Sequence, residues 1–176
     1  MPDELWVFGY GSLIWSPDFP YAARHIARLH NWRRSFCMHS VHYRGSASSP
    51  GLVLALDQAV GATCDGVAFL VQPGAEAETL TILRERELIS SAYLEDYLPV
   101  ELANGGQVRA LAFVINRDHA QYCGGLTLEA QAQVIATAQG VRGPNRDYLF
   151  ATAQHLADLG IEDAELTQLT AMVSAL

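Results

Sequence analysis

Trp6-Val7-Phe8-Gly9-Tyr10-Gly11-Ser12-Leu13, residues 6–13, decides how the chain begins to fold. Leu5–Tyr10 is an apolar and aromatic run of strand length, and it ends in a Gly-Tyr-Gly-Ser turn. Glycine lets a backbone turn tightly and come close to a ligand, so this turn can expose consecutive amide groups to a carboxylate or an oxyanion. The same spacing also suits a plain tight turn between strands. A dinucleotide fingerprint needs a third glycine and a helix after it, whereas Ile14-Trp15-Ser16-Pro17 opens none. The chain therefore does not start as a doubly wound nucleotide-binding sheet.

Further short strands follow. Arg24–Phe36 alternates well enough for one or two strands, with Asn31 as a break. Ser46–Pro50 is small and polar, a loop. Gly51–Leu56, Gly66–Val71 and Leu111–Ile115 are compact apolar runs. Asn104-Gly105-Gly106 reads as a hairpin turn joining the residues around Leu98–Ala103 to Val108–Ile115. Strands so spaced, without long helices between them, predict an antiparallel sheet or barrel.

Helices come next. Pro73-Gly74 ends a strand, and Ala75–Leu88 is rich in Glu, Leu, Arg and Ala. Thr127 caps a helix running to about Gln139 and stopped by Gly140. Asn145 caps a second that ends at Gly160. A third starts near Glu162 and sets Leu166, Leu169, Val173 and Leu176 on one face. The prediction is one α+β domain over 1–176, a β-rich core with a helical C-terminal part.

Composition narrows the function. Half the residues are hydrophobic and 17% are charged, enough apolar material for a core. The formal charge is −8, and all eleven cations are arginines. Without lysine there is no Schiff base, no pyridoxal attachment and no P-loop lysine. An acidic chain without a basic tail is a poor match for nucleic acid. Residues 1–46 carry a net +2 and the remainder −10. Either the surface is simply lopsided, or the first segment offers arginine to a small anionic ligand. Cys37, Cys64 and Cys123 are odd in number and widely spaced, with no CxxC. The run Leu5–Trp15 is too short to span a bilayer, and no secretory segment is read. These features predict a cytoplasmic protein with free thiols.

Four groups could carry chemistry. The first is the Tyr10–Leu13 turn. Ser12 has no base beside it in the local sequence, so it is not read as a nucleophile. The second is Glu87, which falls between Leu80 and Leu83 on the helical wheel, while Glu85 points away. A carboxylate at the edge of an apolar face is partly desolvated and moves toward the range of a general base. The competing reading is a surface glutamate paired with an arginine. The third is His39-Ser40-Val41-His42 with Cys37. In a strand, residues 37 and 39 share a face and 42 points away, so no metal site forms. His42-Tyr43-Arg44-Gly45 suits a polar wall better. The fourth is Gly143–Leu149, where Tyr148 sits in the first turn of its helix with its hydroxyl free to reach a ligand, or is simply packed.

Taken in order, these blocks resemble the ChaC-like γ-glutamylcyclotransferases. Trp6–Trp15 resembles that family's opening signature, and Asn31–Cys37 its next block. Tyr43-Arg44-Gly45, Arg86-Glu87-Leu88 followed by Ala92-Tyr93, and Gly143–Leu149 are similar to later blocks. The resemblance implies a small closed β-barrel with peripheral helices. It implies cleavage of glutathione to 5-oxoproline and cysteinylglycine, with no cofactor and no metal. It assigns Glu87 as the catalytic carboxylate and the Tyr10, Gly11, Ser12, Leu13 loop as the holder of the γ-glutamyl unit. Tyr148 and Arg44 follow as substrate contacts. Members often carry glycine near Ser90-Ser91, so this side of the pocket differs in shape. Two other readings stay open: a cyclotransferase for other γ-glutamyl peptides or amines, and a non-catalytic binder of γ-glutamyl ligands.

Overall fold

Two long strands organise the chain in the computed structural model, which describes residues 4–88 and 91–176. The elements are β1 (Trp6–Gly9), a 3-10 turn (Ser12–Ile14), β2 (Tyr21–Ser40), β3 (Gly51–Val71), α1 (Glu76–Glu87), β4 (Tyr93–Leu102) and β5 (Gln107–Ile115). Then come α2 (Leu128–Thr137), β6 (Gln139–Gly140), β7 (Gly143–Pro144), α3 (Asn145–Asp158) and α4 (Ala164–Ser174). The strands close into a barrel in the order β1-β3-β2-β4-β5. The expected barrel is present, and its closure is not wholly antiparallel. β1 pairs parallel with β5 at Trp6↔Ala110 and Val7↔Leu111, and β3 pairs parallel with β5 at Leu56↔Val114.

The chain divides into two units. The first holds the described residues up to Arg34 together with Leu56–Asn116. Its core is formed by Phe8, Leu29, Leu56, Phe69, Leu83, Leu111 and Phe113, all fully buried. Phe19 and Tyr21 meet Phe69 edge-on, at centroid distances of 5.7 and 5.1 Å. β1 lies antiparallel to β3, and a side chain at Gly66 would strike the Gly9 carbonyl and the Phe8 ring. The hairpin of β4 and β5 pairs from Tyr93↔Ile115 to Glu101↔Gln107, longer than expected. Its turn uses Gly105 at φ +95°, and the Asn104 side chain accepts the Gly106 amide at 3.0 Å.

Asn31 does not break β2. It takes a positive φ of 68°, and its side-chain oxygen accepts the Gly61 amide of β3 at 3.0 Å. Asparagine tolerates this conformation because its short amide bonds locally. Gly51–Leu56 and Gly66–Val71, expected as separate strands, are the ends of one strand, β3. Asp57–Asp65 between them mixes Asp, Gln, Gly and Thr with small apolar residues in no period-2 pattern, and Val60 there is exposed, so no half-buried face signals the continuity.

The second unit holds Ser35–Ala55 and Arg117–Leu176. Leu52, Leu54, Ile135, Leu149 and Leu156 are fully buried there, and α2, α3 and α4 pack on one another. Thr127 caps α2 as expected, accepting the Ala130 amide at 3.1 Å. The helix ends at Thr137, two residues before the expected stop. Gly140 pairs with Gly143 in a small ladder instead, and a side chain there would collide with the backbone of His42 and Tyr43. Asn145 is not the cap of α3: Pro144 holds that position. Asp163 caps α4, accepting the Leu166 amide at 3.0 Å. Leu166, Leu169 and Val173 are buried as expected, but Leu176 is exposed. It follows the last turn of α4, so the helical spacing no longer binds it.

Candidate functional site

In the first unit the site is built from the C-terminal end of α1 and the turn after β1. Thr79 and Leu83 of α1 are fully buried, and Leu80 is only half-buried. Glu87 lies one helical turn beyond Leu83 on the same ridge, so the face that anchors the helix carries its last side chain inward. The Glu87 side chain keeps 16% of its surface exposed. Burial pushes its carboxyl above the ordinary value, and the neighbouring Arg86 guanidinium partly opposes that rise. Glu85 is exposed, as expected.

Arg86 links this carboxylate to the turn. Its Nε lies 3.3 Å from Glu87 Oε1. One Nη donates to Ser12 Oγ at 2.8 Å, and the other donates to the Ser16 carbonyl at 2.5 Å and to Asp18 Oδ2 at 2.8 Å. Glu87 and Ser12 are therefore bound to the same guanidinium. Arginine suits this junction because its planar fork serves several acceptors in fixed directions.

The turn is tied down from beneath. The Tyr10 hydroxyl donates to the Phe113 carbonyl at 2.9 Å, and the Tyr10 carbonyl accepts Arg34 Nε at 2.8 Å. Arg34 is buried and also donates to the Asp65 carbonyl. The Leu13 side chain is buried over Gly9, where a Cβ would sit 3.1 Å from Leu13 Cβ. The Ile14 amide returns to the Gly11 carbonyl at 2.9 Å. Gly11 is buried and Ser12 half-buried. The sequence reading missed Arg86 and Arg34. Arg86 precedes Glu87 by one residue, and i,i+1 neighbours on a helix do not face each other, so spacing concealed their contact. Arg34 lies on a strand whose alternation does not predict a buried cation.

Arg44 and Tyr148 meet each other in the second unit. The Arg44 guanidinium carbon stands 5.7 Å from the Tyr148 ring centroid, and its Nη1 donates to the carbonyls of Arg142 at 2.9 Å and Pro144 at 3.2 Å. Burial lowers the Arg44 pKa, with Asp147 opposing. Arg142 stacks over Tyr43 at 4.4 Å. The Tyr148 hydroxyl is not free as expected: it accepts the Leu54 amide at 3.3 Å. Phe36 packs edge-on against its ring at 5.9 Å. Asn145, fully buried, grips β3 from the side. Its Oδ1 accepts the Leu52 amide and its Nδ2 donates to the Leu52 carbonyl, both at 2.8 Å.

Among the described residues no cluster of three His, Cys, Asp or Glu side chains could hold a metal ion. No helix there is long and apolar enough to cross a membrane. The segment around Ser90 that departs from the expected block has Ile89 and Ser90 outside the described residues.

Among the described residues, a closed five-stranded barrel together with four helices, and a largely buried carboxylate joined through Arg86 to the turn after β1, define the class of this protein. The chain belongs to the ChaC-like protein family, whose model matches residues 5–176. A curated relative, the glutathione-specific gamma-glutamylcyclotransferase of Escherichia coli K12, is 36% identical over 99% of this chain and 76% of its own length. The human glutathione-specific gamma-glutamylcyclotransferase 1 is 32% identical, over 99% of this chain and 79% of that protein. The crystal structure of a yeast gamma-glutamylcyclotransferase specific to glutathione superposes with a TM-score of 0.88 at 24% identity. That match covers 98% of this chain and 96% of the yeast chain.

Proposed function

We propose that this protein is a glutathione-specific γ-glutamylcyclotransferase that releases 5-oxoproline and cysteinylglycine, with Glu87 as the general acid/base. The names of its relatives support the activity. The observation that carries the residue assignment is the buried Glu87 carboxylate, joined by one guanidinium to the Tyr10–Leu13 turn.

The chemistry suits that arrangement. The α-amine nitrogen of the γ-glutamyl unit attacks its own γ-carbonyl carbon, a five-membered ring closes, and the bond to the cysteinyl nitrogen breaks. Ring closure takes two protons from the α-ammonium nitrogen, and the cysteinyl nitrogen gains two as it leaves as an ammonium. The proton balance thus closes without water. Glu87, less acidic than an ordinary glutamate, takes a proton from one nitrogen and delivers it to the other. Both reacting groups belong to one molecule, so holding the folded rotamer supplies much of the acceleration.

The Tyr10, Gly11, Ser12, Leu13 turn holds the γ-glutamyl unit through its backbone, with Arg44 and Tyr148 as further substrate contacts. Residues 1–176 form one domain, supported by a family model that spans nearly all of it and by two strands that run through both units. The protein acts in the cytoplasm, in keeping with three cysteines that form no disulfide.

The test follows 5-oxoproline after incubation with glutathione and with γ-glutamyl-alanine. Release from glutathione is expected. Release mainly from the dipeptide indicates a cyclotransferase for other γ-glutamyl compounds, and binding without product indicates a binder. Glu87→Gln should lower turnover by roughly 10² or more with the fold kept. Glu85→Gln, at an exposed position, should be close to neutral. A comparable loss there would mean that Glu87 is the wrong carboxylate.

A further inference from the structure

We propose that Arg86 is a positioning residue for the Glu87 carboxylate: it clamps the end of α1 to the Ser12–Asp18 loop and sets where Glu87 sits and when it ionises. This rests on the proposed role of Glu87. The geometry is specific. One guanidinium donates to three acceptors on the loop, Ser12 Oγ, the Ser16 carbonyl and Asp18 Oδ2, and forms an ion pair with Glu87 Oε1 at 3.3 Å. The loop is shaped to receive it. Asp18 holds a positive φ of 64°, and its other carboxylate oxygen accepts Ser16 Oγ at 3.2 Å.

A helix end is the least secured part of a helix, since its last carbonyls lack intrahelical partners. A carboxylate on the final residue of α1 would swing with that end. Arg86 ties the end to the loop that also carries the Tyr10–Leu13 turn, so the two halves of the first unit's site move together. The same cation faces the carboxylate and favours its ionised form against burial. Among the described residues, the other charged groups at this end of the helix are Asp18 on the loop, the exposed Glu85, and Arg84, which is paired with Glu95 of β4 at 2.6 Å. Asp18 partly neutralises Arg86.

The two effects separate by substitution. Arg86→Gln removes the charge and the clamp. Arg86→Lys keeps the charge, but a single ammonium cannot hold the three loop acceptors and the Glu87 carboxylate in the geometry of the fork. Asp18→Asn keeps a residue that tolerates positive φ and removes the anion facing Arg86.

The experiment titrates the Glu87 carboxyl by carbon-13 NMR, with the resonance assigned from Glu87→Gln, and measures kcat and KM for glutathione over the same pH range. Arg86→Gln should move the Glu87 titration to higher pH and lower kcat by about 10-fold to 100-fold, as expected when a reacting group is misplaced. Arg86→Lys should titrate near the wild type with kcat still reduced. Asp18→Asn should move the titration to lower pH, opposite to Arg86→Gln. A role confined to stability would not give shifts of opposite sign. An unmoved Glu87 titration in folded Arg86→Gln, or a kcat within about twofold of wild type, overturns the proposal. If Arg86→Gln does not fold, the direction of the Asp18→Asn shift decides. A wild type that releases no 5-oxoproline strikes the proposed activity alone, and the titrations still decide the coupling of Arg86 to Glu87.

Discussion

Glu87 closes α1 with its carboxylate largely withdrawn from water, and this sets its proton equilibrium. Burial raises its pKa above the ordinary 4.5 in the folded state. Between that value and the raised one, the folded chain holds more protons than the unfolded chain, so stability falls as pH rises through the window. Glutamine carries no charge to desolvate. Glu87→Gln should therefore raise Tm at about pH 8 while lowering turnover, and the gain should vanish at about pH 3, well below the ordinary 4.5, where the wild-type carboxyl is neutral in both states. Thermal unfolding of the two proteins at both pH values checks this, and an unchanged Tm at the higher pH would show a carboxylate that burial does not penalise. The wheel position of Glu87 was legible because Leu83 fixes the buried face of α1. Its tie to Ser12 was not, because the bonds run through a side chain seventy-four residues away from its acceptor.

At the scale of elements, Asn145 shows how a side chain can join a helix to a strand. Its amide completes two backbone bonds of Leu52 with no solvent access. Asn145→Ala should leave the Leu52 amide and carbonyl buried without partners. Each such group costs about 1–3 kcal/mol, so urea unfolding should show a loss of roughly 2–6 kcal/mol. A loss below about 1 kcal/mol would mean that water replaces the amide. The sequence marked residue 145 as special but assigned it the wrong bond. Asparagine before a helical pattern reads as a cap, and nothing local reveals that the preceding proline occupies that place. The strand ends were legible from their apolar runs, while the middle of β3 was not. Its side chains from Gln58 to Thr63 are largely exposed, and it is held as strand by pairing rather than by a hydrophobic face.

Over the whole molecule, β2 and β3 pass from one unit into the other without interruption: β2 leaves the first unit after Arg34, and β3 enters it at Leu56. Strands melt through their ladders, so disrupting either one should be felt along its length. Calorimetry should show one cooperative transition, with calorimetric and van't Hoff enthalpies equal. Two separated transitions would refute a single domain. The sequence by itself determined the run of strands interrupted by one helix and followed by a helical C-terminal part, the absence of lysine chemistry, and the place of Glu87 beside the apolar face of α1. Each of these depends on residue type or on periodicity within a few turns. Only the tertiary structure decided the parallel closure on β5, the grip of Asn145 on β3 and the clamp of Arg86 on the Ser12–Asp18 loop. Those contacts join residues far apart in the chain, and their partners are selected by how the folded backbone brings donors to acceptors, which no local pattern encodes.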